Sequence, residues 1–188
     1  MLRIRSPWPA VTALVAGELQ ALSIADPWTG QAHGWLQVLS LALLVAVLRH
    51  APRTDSRRHD AWRGFGLGWL FALAWLAGTF WWLFVSMHTY GGLDPVLAAL
   101  AVFALAGLLG LYYAMAGAVF CVFASAAASR RRPVAAALLF AALWTLAELL
   151  RGRWFTGFPW GAGGYAHVEG AFASFAPLVG VYGIGFLA

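Results

Sequence analysis

Six long apolar runs, each closed by a turn or a cluster of arginines, leave few folds open to this chain. They cover about residues 9–25, 34–48, 64–87, 95–129, 134–150 and 172–188. Runs near the length of a bilayer crossing bury their backbone polar groups only as helices. Composition agrees: 62% of the residues are hydrophobic and 10% are charged, where a soluble domain carries about 25% charged residues. The reading is an all-α membrane protein, a polytopic transmembrane helix bundle with about six spans. The fourth run, as one helix, would rise roughly 50 Å against an apolar core of about 30 Å, so it is expected to tilt, break or leave the lipid in its Ala/Ser-rich tail.

The net charge of +5 does not point to nucleic acid, because the positions of the charges matter more than their sum. Lysine is absent, and the twelve basic residues are all Arg. They cluster at Arg3 and Arg5, from Arg49 to Arg63, from Arg130 to Arg132, and at Arg151 and Arg153. Short basic clusters between apolar runs are topology signals. Two crossings separate each of the first three clusters from the next, so all three share the cytoplasmic side, and so does the N-terminus. The fifth run then delivers Arg151 and Arg153 to the far face, as exceptions to the positive-inside rule.

Glu148 and Arg151 stand three apart in "WTLAELLRGRW" and share a helix face. Two readings stay open: an ion pair closing the helix end, or a clamp for a lipid head group, whose phosphate a guanidinium grips with two parallel hydrogen bonds. In "TGFPWGAGGY", Pro159 prevents the helix from running on, and Phe155, Phe158, Trp160 and Tyr165 are interfacial by type. The stretch reads as a packed turn between spans or as a wall of a lipid-accessible cavity. Glu18 is a second acid in an apolar run, without a partner that sequence can name. The lone Cys121 excludes an intrachain disulfide and has no electropositive sequence neighbour to activate it. Histidines His50, His59, His88 and His167 form no metal-ligand spacing, so neither a metal nor a cofactor is expected. "GFGLG" at Gly64–Gly68, with Gly107 and Gly110 in another run, suggests close helix packing.

One family resemblance is carried by particular strings. "ALWTLAELLRGRWFTGFPWGAGGYAHVEG", then "FAPLVGVYGIGFL", resembles the membrane part of bacterial apolipoprotein N-acyltransferase, and "WWLFVSMHTYGG" resembles the stretch before that family's fourth span. The chain departs from the family near its start, with "IADPWTG" where an aromatic-Ser-Pro turn is common. The resemblance implies a bundle of about eight helices in the bacterial inner membrane, joined to a periplasmic nitrilase-like (carbon–nitrogen hydrolase-like) domain. A Glu-Lys-Cys triad there takes an acyl chain from a phospholipid and passes it to the N-terminal amine of a diacylglyceryl-cysteine lipoprotein. Residues 1–188 then correspond to the N-terminal transmembrane bundle, without the catalytic domain. No lysine is available for a triad, so no catalytic residue is carried over, and this chain alone is expected to be inactive. What the resemblance places where bundle, catalytic domain and lipid meet is Glu148, Arg151, Trp154, Phe158, Pro159, Trp160 and Tyr165. The apolar ending suggests the front part of a longer protein; a stand-alone membrane scaffold or small transporter is the alternative.

Overall fold

The structure, a computed structural model, describes residues 7–50, 56–124 and 132–188. It is built from helices: α1 (Trp8–Ile24), α2 (Gly34–His50), α3 (Arg57–Thr79), the short α4 (Trp81–Val85), α5 (Pro95–Phe123), α6 (Pro133–Arg153) and α7 (Ala176–Leu187). A π-helical turn, Ser86–Tyr90, continues α4, and three 3₁₀ turns lie between α6 and α7. No strand occurs among the described residues.

Local chemistry sets the helix ends. The Asp94 carboxylate accepts from the Val96 and Leu97 amides at 2.9 and 3.3 Å, and Pro95 occupies the first helical position of α5. Between α1 and α2, Asp26 organises "DPWTGQAHG". It accepts from the backbone of Trp28 and Thr29, from the Thr29 hydroxyl and from His33. The Thr29 contacts come first among the causes that hold this carboxyl well below the usual carboxylate range. Ser56 begins α3, accepting from the His59 amide.

Small residues are prominent on the buried faces of α1 and α5. α1 buries Ala13, Ala16, Gly17, Gln20 and Ser23. α5 buries Ala98, Ala106, Gly110, Ala114 and Gly117 alongside the larger Val102, Tyr113 and Phe120, while Leu100, Phe103, Leu108 and Leu111 face outward. Small residues at helix contacts, with large apolar side chains on the outer face, suit helices that meet each other in lipid. By length and apolarity, α5 and residues 133–156 each suffice to cross a membrane. α3 with its continuation, bent by 51°, makes a third when the pair is counted as one span. α2 and the segment of α7 are apolar but shorter.

α3 runs through the centre, packed on α1 and α5. Its GFGLG glycines pack closely on α5, at Gly117 and Tyr113 rather than at Gly107 or Gly110. A Cβ on Gly64 would lie 2.3 Å from the Gly117 carbonyl oxygen, so α3 and α5 touch backbone to backbone there. Gly107 and Gly110 lie against Trp69 instead, whose indole donates to the Gly107 carbonyl at 2.9 Å. An aromatic cluster fills the core: Trp144 stacks on Trp75 with centroids 5.6 Å apart, and Tyr113 and Phe71 pack on both rings.

One expectation changes and another falls partly outside the described residues. Cys121 does have an electropositive neighbour, in space rather than in sequence: Arg63 of α3 places Nη2 3.8 Å from its sulfur. The same nitrogen donates to the Leu48 carbonyl at 3.0 Å, near the end of α2. Of the topology signals, Arg3, Arg5, Arg53, Arg130 and Arg131 lie outside the described residues, as does the Ala/Ser-rich tail at 125–129.

Candidate functional site

Arg151 stands in the last turn of α6 and is 1% exposed. A buried guanidinium needs its donors engaged. Its Nε donates to the Tyr113 hydroxyl at 2.9 Å, and Nη1 donates to the carbonyls of Phe158 and Trp160 at 2.8 and 2.7 Å. The cation lies 5.8 Å from the Trp75 ring centroid and 6.0 Å from that of Tyr113. In return, the Phe158 amide donates to the Arg151 carbonyl at 2.9 Å. Arg151 therefore fastens the loop that follows its own helix onto the aromatic core.

That loop needs fastening. Phe155 and Thr156 have φ of 51° and 74°, and Gly157 follows at 78°. Left-handed backbone costs a β-branched or bulky residue on the order of 1–3 kcal/mol and persists only when its surroundings impose it. Pro159 adds a carbonyl-rich stretch with one amide fewer. The Arg151 side chain supplies donors for two of those carbonyls.

Glu148 is fully buried one turn earlier. The ion pair with Arg151, one of the two readings left open by the sequence, does not form: the ion pairs among the described side chains are His33–Asp26 and Arg63–Asp60. Glu148 Oε1 instead accepts from the Gly163 amide at 2.7 Å, while its Oε2 and Arg151 Nη2 make no hydrogen bond within the described residues. Both charged residues thus hold the loop, at different points. Gly163 is enclosed by side chains that sequence reading passed over. A Cβ there would lie 2.4 Å from Gln37 Nε2 and 3.3 Å from Gln20 Nε2. Gln20 and Gln37 are fully buried. A glutamine within an apolar run was the available signal, since such a group faces the bundle interior. His167, beside the start of α2, is also buried, and burial pushes its imidazole below the ordinary histidine value.

The seven residues singled out by sequence divide into three groups. Glu148 is sealed inside. Arg151, Trp154 and Phe158 line a cavity of about 540 Å³ against Leu108 and Tyr112 of α5. Pro159, Trp160 and Tyr165 line another of about 660 Å³ on the opposite side of the loop, against α1 and the end of α3. Phe158 packs edge-on against Phe80, with centroids 5.1 Å apart, between the two. Trp154, Trp160 and Tyr165 are 57%, 60% and 46% exposed, so the loop presents aromatic surface on both flanks.

Among the described residues the chain is an all-α bundle with apolar helices of membrane-crossing length, and charged side chains hold the backbone of an aromatic loop between two cavities. The chain belongs to the family described as the apolipoprotein N-acyltransferase N-terminal domain, which it matches over residues 16–188. It is 53% identical over 182 residues to the apolipoprotein N-acyltransferase of Verminephrobacter eiseniae, covering 96% of this chain and 32% of that protein. It is 44% identical to the apolipoprotein N-acyltransferase of Ralstonia nicotianae, covering 96% and 32%, and 39% identical to that of Pseudomonas putida, covering 97% and 33%. The chain thus spans about a third of the length of these curated relatives.

Proposed function

We propose that this chain is the membrane portion of an enzyme that transfers an acyl chain from a phospholipid to the N-terminal amine of a diacylglyceryl-cysteine lipoprotein. The observation that carries this reading is the loop held by Arg151, with an aromatic-walled cavity on each flank. Two cavities at one end of a bundle suit acyl chains arriving from the lipid side. The chemistry itself belongs to a nitrilase-like domain carrying a Glu-Lys-Cys triad, which residues 1–188 cannot supply because they contain no lysine. There a thiolate would attack the phospholipid ester carbonyl, forming a thioester and releasing the lysophospholipid alcohol; the incoming amine would then attack the thioester, forming the amide and returning the thiol.

A chimera tests this. Residues 1–188 are joined to the remaining part of the Verminephrobacter eiseniae relative, and N-acylation of a diacylglyceryl-cysteine peptide is measured in proteoliposomes. The expected result is acylation by the chimera and none by residues 1–188 alone. A folded, membrane-inserted chimera without activity, or acylation by residues 1–188 alone, overturns the reading.

The same proposal carries a topology: about six crossings in the bacterial inner membrane, with the N-terminus cytoplasmic and the Arg151 loop outside. Labelling with a membrane-impermeant thiol reagent in spheroplasts checks it, in a Cys121→Ala background. Gly152 is unsuitable as a reporter because a Cβ there would meet the Tyr182 hydroxyl at 2.3 Å. Phe155, 91% exposed, is the better position. Phe155→Cys should label and Arg58→Cys should stay protected; the reverse pattern inverts the topology.

A further inference from the structure

Five buried polar atoms gather where Glu148 holds the loop. Gln20 of α1, Gln37 of α2 and Glu148 of α6 are each fully buried, and their side chains converge on Gly163. A Cβ there would lie within 3.4 Å of Gln37 Nε2, Gln20 Nε2 and Glu148 Oε1. The Gly163 amide engages Oε1. Both polar atoms of each glutamine side chain, and Glu148 Oε2, make no hydrogen bond within the described residues. Groups desolvated in a bundle interior are costly to leave unpaired. Beside Oε2 there is also room. A Cβ on Gly185 of α7 would meet nothing nearer than Oε2 at 3.4 Å and the Gly164 amide nitrogen at 3.5 Å. A methyl group fits at that point, and a water molecule, at about 30 Å³, is of similar size.

We propose that Gln20, Gln37 and Glu148 form an internal site for bound water, with one molecule between Glu148 Oε2 and Gly185 and the site continuing to the two amides. The chemistry of these groups selects the ligand. Each amide presents donors on its nitrogen and an acceptor oxygen, so its partner must both accept and donate. A metal cation serves the oxygens and leaves both nitrogens unmet. Arg151, one turn along α6, already sets a positive charge near Glu148, and water adds no second one. A buried water makes about three hydrogen bonds, so about two molecules serve the five atoms. The loop is then held in two unlike ways. Arg151 grips the Phe158 and Trp160 carbonyls directly. Glu148 grips Gly163 with one oxygen, and its other oxygen is solvated inside the protein. This inference does not rest on the acyltransferase reading.

Proton-detected solid-state NMR of the protein in proteoliposomes reads magnetisation transfer from water to side-chain N–H groups. The Gln20 and Gln37 amides should receive it. The Trp69 indole, bonded to the Gly107 carbonyl, should not. Gly185→Ala puts a methyl at the position of the water and should abolish the transfer. It should also lower the melting temperature, although alanine favours a helix over glycine. Gly185→Ser offers a hydroxyl to Oε2 and should recover part of that loss. No transfer in the wild-type protein would mean that the amides donate straight to the carboxylate, and overturns the proposal. Full transfer in Gly185→Ala, or a melting temperature at or above wild type, overturns it equally. Either failure leaves the chimera experiment untouched, because acylation by the chimera does not depend on what solvates Glu148.

Discussion

Replacing Arg151 with leucine should destabilise the bundle by about 3–5 kcal/mol, the range for removing one partner from a buried charged network. The substitution strands the Phe158 and Trp160 carbonyls and the Tyr113 hydroxyl, which the guanidinium now serves at 2.7–2.9 Å. Left-handed Phe155 and Thr156 then lose the restraint that holds them. Arg151→Lys should fall between wild type and leucine. One ammonium keeps the charge but does not span a hydroxyl on α5 and two loop carbonyls with a planar fork. Thermal unfolding in detergent, followed by tryptophan fluorescence, reads the effect directly. In a protein that also carries the catalytic domain, Arg151→Leu should reduce folded yield and leave the lipid KM of the remaining folded enzyme near wild type. A raised KM at normal yield would falsify the structural assignment and give Arg151 to the lipid phosphate.

Gly64→Ala is the second large effect, with Gly66→Ala as its control two residues away. A methyl at Gly64 would lie 2.3 Å from the Gly117 carbonyl oxygen, and one at Gly117 would lie 2.5 Å from the Gly64 carbonyl oxygen. Backbone cannot rotate aside as a side chain can, so α3 and α5 must separate. The expected cost is about 1–3 kcal/mol for alanine, and larger for leucine. A methyl at Gly66 meets nothing within 4 Å, and glycine is a poor helix former. Gly66→Ala should therefore be neutral or stabilise by up to about 1 kcal/mol. Melting temperatures of the two variants in the same detergent decide the matter. Equal shifts would mean that the α3–α5 crossing is looser than the structure has it.

The two predictions differ in how far the sequence foretold them. Apolar runs and punctuation located the helices well: the run at 9–25 became Trp8–Ile24, and Asp94-Pro95 opened α5 as a cap and first-turn proline. A glycine motif in "GFGLG" signalled a close crossing, but nothing in a linear pattern ranks Gly117 above Gly107 or Gly110 as its partner. Helical periodicity gives the face of one helix; the axial offset between two helices depends on every side chain along the contact. The loop shows the same division. Pro159 marked the break, and the Glu148–Arg151 spacing marked a shared face. Yet each residue bonds elsewhere, Arg151 to Tyr113 and Glu148 to Gly163. Neighbours on one helix need not pair when freed loop backbone offers each of them a better geometry. The contact between Arg63 and Cys121, 58 positions apart, had no sequence trace at all.

The small residues at the contacts of α1 and α5 have a consequence for how this protein tolerates change. In a water-soluble bundle, a saturation scan penalises loss of volume at the contacts and forgives gain at the surface. Here the penalty should fall on added volume at Ala98, Ala106 and Ala114, whereas Leu100, Phe103 and Leu108 should accept most apolar replacements of any size. Sensitivity would then track increase in size on one face of each helix and gain of polarity on the other. A residue's mutational profile would thereby report which way it points, without any need to locate the bilayer.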